Sequence, residues 1–288
     1  TGLYRDTYAP LLMQRIVVPS PDCAQRTPGA SWEDHTRQMF AHMRLALEHQ
    51  AGEVAAVIVE PLVQCAGGMK MYHAIYLKML RAACDEFGVH LIADEIATGF
   101  GRTGQMFACE WARIKPDILC LSKGITGGTL PLAVTLTHDR IYQAFYAEHA
   151  AHKAFLHSHS YTGNPLACRA ALATLDLFES SNALATNKVL EQEMWAYTSE
   201  LRSHPNVAEI RQQGMILAIE LAKNARSRTP FPAAERRGLR VYQHALQQGV
   251  LLRPLGDVVY FMPPYVITPK EVKLLCRVAQ EAIVEATK

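Results

Sequence analysis

No stretch of this 288-residue chain approaches the roughly 18 consecutive apolar residues that a membrane-spanning helix needs. The amino terminus also lacks the charged-then-apolar pattern of a secretory signal. Together these absences make a cytoplasmic protein the expectation. Net charge is nearly missing too. With 29 basic and 27 acidic side chains the balance is +2, which gives no reason to invoke nucleic acid or an anionic membrane as partner. The seven cysteines are odd in number and none are spaced CxxC, which argues against a disulfide framework or a zinc ribbon. Reduced, mostly buried thiols are expected. A GxxxxGK[ST] phosphate loop, an internal repeat and a low-complexity tract are all absent. The remainder is ordinary for an enzyme: 49% hydrophobic, 19% charged, and long enough for two domains and a substantial core.

The most informative stretch is Val89 to Gly128, VHLIADEIATGFGRTGQMFACEWARIKPDILCLSKGITGG. An acidic pair, Asp94-Glu95, closes the apolar run Val89 to Ala93, and Lys123 follows a second run, Ile118 to Leu121. Both runs have strand length and end in turn residues. In an open α/β sheet, ligands gather outside the carboxyl ends of the strands. A carboxylate and an amine delivered there by two strands can face one molecule. That pairing suits pyridoxal phosphate, whose aldehyde is held by a lysine and whose pyridinium nitrogen pairs with a carboxylate. Taken singly, the acidic pair also reads as a helix cap and Lys123 as a solvated loop residue. GFGRTG fails as a dinucleotide motif, because it follows an acidic pair instead of opening a helix. His149, His152, His157 and His159 crowd together, yet no carboxylate or cysteine within the cluster completes a zinc site, so no metal is expected.

DEIATGFGRTG, with the lysine of SKG 29 residues beyond its aspartate, resembles the cofactor segment of class III (ω-amino acid type) pyridoxal-phosphate aminotransferases. The likeness runs from about Val54 to Glu271. It implies an α/β fold: a fold-type-I large domain over residues 1–180 and a small α+β domain over 181–288. The large domain would have a mostly parallel sheet with helices on both faces. The resemblance further implies that Lys123 and Asp94 are the catalytic and cofactor-binding pair. Ile96 would lie against the ring, Glu60 would line the site, and Ser160 would reach the cofactor phosphate of the neighbouring subunit. Arg253 would pair with the carboxylate of a keto substrate, a contact that a guanidinium fork suits. Arg102, Tyr260 and Ser158 complete the implied substrate set. The implied partners are a small keto acid, an amino donor and a second copy of the chain, with the site at the subunit interface.

VEPLVQCAGGMKMYH and RPLGDVVYFMPPY resemble the biotin-synthesis branch of that family. This implies 8-amino-7-oxononanoate as acceptor and S-adenosylmethionine or lysine as donor. Another class III transaminase, of the ornithine, GABA or diamine type, and a catalytically inert piece of such an enzyme stay open as alternatives. Two departures stand out: Cys65 where the family usually has glycine, and SHSY where the better-known branch reads GPTF. The chain starts at Thr1. The resemblance implies a further N-terminal portion, with a Gly-Ser phosphate loop and a ring-stacking aromatic residue.

Periodicity and turn chemistry give the expected elements. Residues 1–30 read as a proline-rich loop, followed by a helix from Ser31 to Gln50 with Ser31 and Asp34 as a capping pair. Val54 to Val59 reads as a strand covered on both faces, and His73 to Phe87 as a helix. Further helices are expected over 165–179, 184–203 and 233–248, and strands over 207–211, 215–221, 251–252 and 258–261. Thr268-Pro269-Lys270-Glu271 is a full start signal for a last helix.

Overall fold

The computed structural model describes residues 6–288; the first five residues of the expected amino-terminal loop lie outside the described part. From Asp22 onward most elements follow from local chemistry. Helix α1 spans Trp32–Gln50, and the Ser31 hydroxyl accepts the Asp34 N–H at 3.0 Å. Strand β1 (Ala56–Val59) leads into a small hairpin, β2 (Val63–Gln64) with β3 (Lys70–Met71). Helix α2 (Ile75–Phe87) buries Tyr76, Leu77, Leu80, Ala83 and Cys84, the spacing of one helical face, and stops at Gly88 in the left-handed conformation. Strands β4 (His90–Asp94), β5 (Ile118–Leu121) and β6 (Val134–Thr137) follow.

These strands form a sheet of order β1-β4-β5-β6, parallel except for the antiparallel β6. The registers put Val59 beside Ala93 and Ala93 beside Leu119, so Val57, Val59, Leu91, Ala93, Leu119 and Leu121 share one face. That face meets α1, α2 and helix α4 (Pro165–Ser180) in two apolar clusters. The opposite face, with Ile58, Ile92, Asp94, Ile118 and Cys120, contributes to no core cluster among the described residues, and Ile58 is 65% exposed. On that face Ile92, Asp94, Ile118 and Cys120 are half-buried, and Ile58 alone of these five is exposed.

After a short helix α3 (Asp139–Gln143), and then α4, helix α5 (Ala183–Tyr197) leads to a second sheet. Its strands are β7 (Val207–Gln213), β8 (Ile216–Leu221), β9 (Arg253–Leu255) and β10 (Val258–Phe261), in the antiparallel order β7-β8-β10-β9. Helices α6 (Arg237–Gln247) and α7 (Pro269–Ala286) cover one side, and both halves of the Thr268/Glu271 capping box form. Strand β8 alternates between two cores. Leu217, Ile219 and Leu221 join the helices, while Ile216 and Ala218 join the core of the first sheet. The expected strand at 251–252 lies instead at 253–255. Leu252 sinks into the helical core, and β9 sits at the sheet edge, where the missing N–H of Pro254 is tolerated.

Candidate active site

Three loops leave the carboxyl edge of β1, β4 and β5, and each carries an ionisable side chain. Glu60 follows β1, Asp94 ends β4, and Lys123 follows β5. Asp94 pairs in register with Cys120, which lies three residues before Lys123, so the two groups leave adjacent parallel strands. One oxygen of Asp94, Oδ1, accepts the Ile96 N–H at 3.1 Å. Oδ2 and the Lys123 Nζ make no hydrogen bond or ion pair among the described residues. Lys123 is solvent-exposed and opens a short 3-10 turn to Thr126.

Glu60 responds electrostatically to both groups. Burial pushes its carboxyl above the usual glutamate range and the Asp94 charge adds to that, while the Cys65 N–H, at 3.2 Å, and the Lys123 charge oppose it. Cys65 is a member of the same constellation that residue-by-residue reasoning missed. Its thiol is pushed up to about 12 by burial and by Glu60, against the pull of Lys123. A cysteine in a position of expected glycine was the available signal. Leu62, Met69, Phe100 and Lys123, all non-glycine residues with positive φ, lie in these three loops. Such conformations cost about 1–3 kcal/mol each and gather where a site needs a defined backbone.

The second sheet holds the loops from behind. Registers place Arg211, Ala218, Tyr260 and Arg253 in one cross-strand row. Ala218 and Tyr260 pack on the core of the first sheet, so this is the face turned towards the loops. At one end of the row the buried Arg211 pairs with Glu220 at 2.6 Å and donates to the carbonyls of Gly68 at 2.7 Å and Met69 at 2.6 Å. At the other end Arg253 is exposed and makes no hydrogen bond or ion pair among the described residues.

Arg102 sits where loop 96–107 meets the second sheet. Its Nη1 donates to the Pro263 carbonyl at 2.5 Å, and the guanidinium lies 4.4 Å from the centre of the Tyr265 ring. Burial pulls its pKa below the arginine range. Tyr265, in turn, donates its hydroxyl to the Phe100 carbonyl at 2.6 Å. Tyr265 closes the motif RPLGDVVYFMPPY, but its role was not legible there, because its hydrogen-bond partner Phe100 lies 165 residues away along the chain.

Ser158 and Ser160 stand apart from this constellation. With His157, His159 and Thr162 they line an open cavity of about 430 Å³, and none of Glu60, Asp94 and Lys123 borders it. His149 and His152 lie on the same exposed segment, their ring centres 6.0 Å apart. Among the described residues no three His, Cys, Asp or Glu side chains gather into a metal-sized group, and no helix is long and apolar enough to cross a membrane.

The aminotransferase class-III family model matches residues 2–283. Adenosylmethionine-8-amino-7-oxononanoate aminotransferase of Helicobacter pylori is 45% identical over 276 residues, which are 94% of this chain and 59% of that protein. The protein of the same name from Geobacter sulfurreducens is 44% identical over 281 residues, 95% of this chain and 60% of that one. The chain thus spans about 60% of the length of these relatives. Among solved structures, the adenosylmethionine-8-amino-7-oxononanoate aminotransferase of Methanocaldococcus jannaschii superposes with a TM-score of 0.90 at 38% identity, covering 99% of this chain and 63% of that one. An omega transaminase from Pseudomonas jessenii in complex with PMP superposes with a TM-score of 0.87 at 29% identity, covering 94% of this chain and 60% of that one.

Proposed function

The chain belongs to the class-III aminotransferase family, and from that premise we propose that it carries the pyridoxal-phosphate site of a transaminase that aminates 8-amino-7-oxononanoate to 7,8-diaminononanoate. The observation that carries this reading is the pairing of β4 with β5, which delivers to one sheet edge an amine and a carboxylate oxygen that have no partner among the described residues. Pyridoxal phosphate fits that donor set. When bound, it supplies an aldehyde for an amine and a cationic ring that accepts the electrons released at a neighbouring carbon.

The roles of the protein groups follow from their chemistry. Lys123 Nζ holds the cofactor aldehyde. The same amine, placed at that sheet edge, would serve as the base and then the acid that moves the substrate's Cα proton. Asp94 Oδ2 would hold the pyridine nitrogen protonated, the Ile96 N–H donated to Oδ1 fixes the carboxylate, and the Ile96 side chain would lie against the ring. Glu60 lines the opposite strand end. Arg253, which makes no hydrogen bond or ion pair among the described residues, binds the carboxylate of the keto acid beside Tyr260. Arg102 keeps Nε and Nη2 free of hydrogen bonds among the described residues, which supports a place at the mouth of the site.

Ser160, with Ser158 beside it, serves the site of a second copy, which makes the working unit a homodimer in the cytoplasm. An exposed apolar surface that includes Phe145, Tyr146, Phe155, Leu156, Tyr161 and Leu166 supports that assembly. We place the boundary between the large and small domains near Ser180-Ser181, between α4 and α5. Relatives named for adenosylmethionine support it as the donor.

The test is a titration of the full-length protein with pyridoxal phosphate, borohydride reduction and peptide mapping. The expected result is a modified Lys123, complete loss of that adduct in Lys123→Ala, and a fall in transamination of at least about 1,000-fold. Trapping that persists in Lys123→Ala would overturn the assignment. A donor and acceptor screen separates the biotin-pathway substrates from ornithine, GABA and diamines.

A further inference from the structure

Strand alternation sends the two acids of the Asp94-Glu95 pair to opposite faces of the sheet. Asp94 emerges on the open face with Cys120, whereas Glu95 is fully buried on the other. A buried carboxylate needs strong donors to persist there. Glu95 has them: Oε2 accepts the Ala108 N–H at 2.6 Å and Oε1 the Cys109 N–H at 2.8 Å. Its own carbonyl accepts the Gly99 N–H at 2.9 Å, and its own N–H continues the ladder to the Cys120 carbonyl at 3.0 Å. One residue therefore pins both ends of loop 96–107 and sets them against β5.

That loop touches the two things the site must align. Phe100, in the left-handed conformation, packs on Gly124, the residue after Lys123; a Cβ added there would come within 2.9 Å of the Phe100 Cβ. On its other side the loop grips the second sheet. The Met215 N–H donates to the Arg102 carbonyl at 2.9 Å, Gln213 Nε2 to the Thr103 carbonyl at 2.9 Å, and the Tyr265 hydroxyl to the Phe100 carbonyl at 2.6 Å. Gly214 packs so closely on residues 102–104 that a Cβ would lie 2.5 Å from their backbone.

We propose that Glu95 is a positioning residue: by clamping loop 96–107 it sets, through Phe100, where the Lys123 amine stands relative to Asp94. Through Arg102 and Thr103 it also sets where the second sheet, and with it Arg253, stands relative to both. The inference rests on the reading of Lys123 and Asp94 as the cofactor pair, and it adds a residue that touches neither cofactor nor substrate. Glutamine at this position keeps the volume, but its amide nitrogen faces an N–H where a carboxylate oxygen stood, so one end of the clamp opens.

The experiment compares the full-length protein with Glu95→Gln and Phe100→Leu, the latter acting on the same clamp while leaving the buried carboxylate intact. Three quantities are read: hydrogen exchange at the Ala108 and Cys109 amides, affinity for pyridoxal phosphate, and the pH midpoint of the colour change of the Lys123 adduct. In Glu95→Gln, exchange should accelerate at least tenfold, affinity should fall at least tenfold, and the midpoint should move by half a unit or more. Phe100→Leu should move the midpoint in the same direction without the change in exchange. Faster exchange with an affinity and midpoint within error of the wild type, or a Phe100→Leu midpoint that does not move, would show that the clamp is merely structural and overturn the inference alone. A wild-type protein that forms no borohydride-trappable adduct overturns the functional reading, and the inference with it.

Discussion

The two four-stranded sheets differ in how they are packed. In the sheet β7-β8-β10-β9, the inner strand β8 is sealed on both faces: every residue from Met215 to Ile219 is 0% exposed, and its successive side chains feed two separate cores. In the sheet β1-β4-β5-β6, one face packs on helices, the other joins no core cluster among the described residues and exposes Ile58, and the candidate catalytic groups stand at its carboxyl edge. The sealed sheet supplies a rigid back wall. The open one supplies an edge that ligands can reach, and the loops after β1 and β4 join the two. Arg211 and Arg102 make that joint polar and directional, because each donates to backbone carbonyls across it. The difference separates stability from chemistry. Substitutions in the first kind of environment should cost folding energy, and those at the second should cost function.

Ile219 tests the stability side with the largest expected effect. Its side chain is fully buried among the helices of the second sheet. Ile219→Ala should destabilise the protein by about 3–5 kcal/mol through lost transfer energy and a residual cavity. Denaturant unfolding measures this. Trapping at Lys123 in the fraction that remains folded should be unchanged. A loss below about 1 kcal/mol would mean the second sheet is not the sealed frame described here.

Asp117 comes next. It precedes β5 at the amino edge of the open sheet, with its side chain 6% exposed. Oδ2 accepts from Arg81 at 2.7 Å and from the Leu91 N–H at 2.8 Å, and Oδ1 accepts from Arg140 at 2.6 Å. Burial alone would raise its pKa, but the Leu91 N–H and the two guanidinium groups outweigh burial and hold the carboxyl well below the usual range. A depressed folded pKa means that the unfolded chain binds more protons in acid. The stabilisation is therefore complete above about pH 4, the unfolded aspartate value, and is lost as pH falls towards the folded one. Asp117→Asn should cost about 3 kcal/mol at pH 7, with the gap between variant and wild type narrowing below pH 4. A gap that does not change with pH would remove the carboxylate as its source.

Legibility in the sequence follows the same division. Ser31 before α1 and the Thr268-Glu271 box before α7 act within one turn of their own helix, so spacing alone revealed them. The strands ending at Asp94 and Leu121 were legible as short apolar runs between turn residues. What escaped depends on partners far along the chain. The β9 strand fell at Arg253–Leu255 because Leu252 is claimed by a core built from α6 and α7. Glu95 looks like a twin of Asp94 in sequence, and only the amides of Ala108 and Cys109 distinguish it. Tyr265 ends a motif legible in the sequence, but its role as a strut depends on Phe100 and Arg102.

Ile58 sharpens the comparison with the smallest expected effect. It is the same residue type as Ile219 and also lies in a strand, yet 65% of it is exposed on the open face of the first sheet, in the row that contains Ile92 and Ile118. In the 288-residue chain there is little apolar contact to remove, so Ile58→Ala should change stability by no more than about 0.5 kcal/mol, several times less than Ile219→Ala. Equilibrium unfolding of the two variants side by side measures the ratio. If a second copy or further polypeptide covers that face in the full-length protein, the same substitution there should cost about 2–4 kcal/mol, the range for a buried isoleucine. The cost of one alanine at position 58 thus reports whether the face beside Asp94 is open or packed in the working enzyme. Equal costs at 58 and 219 in the 288-residue chain would end the distinction between the sheets.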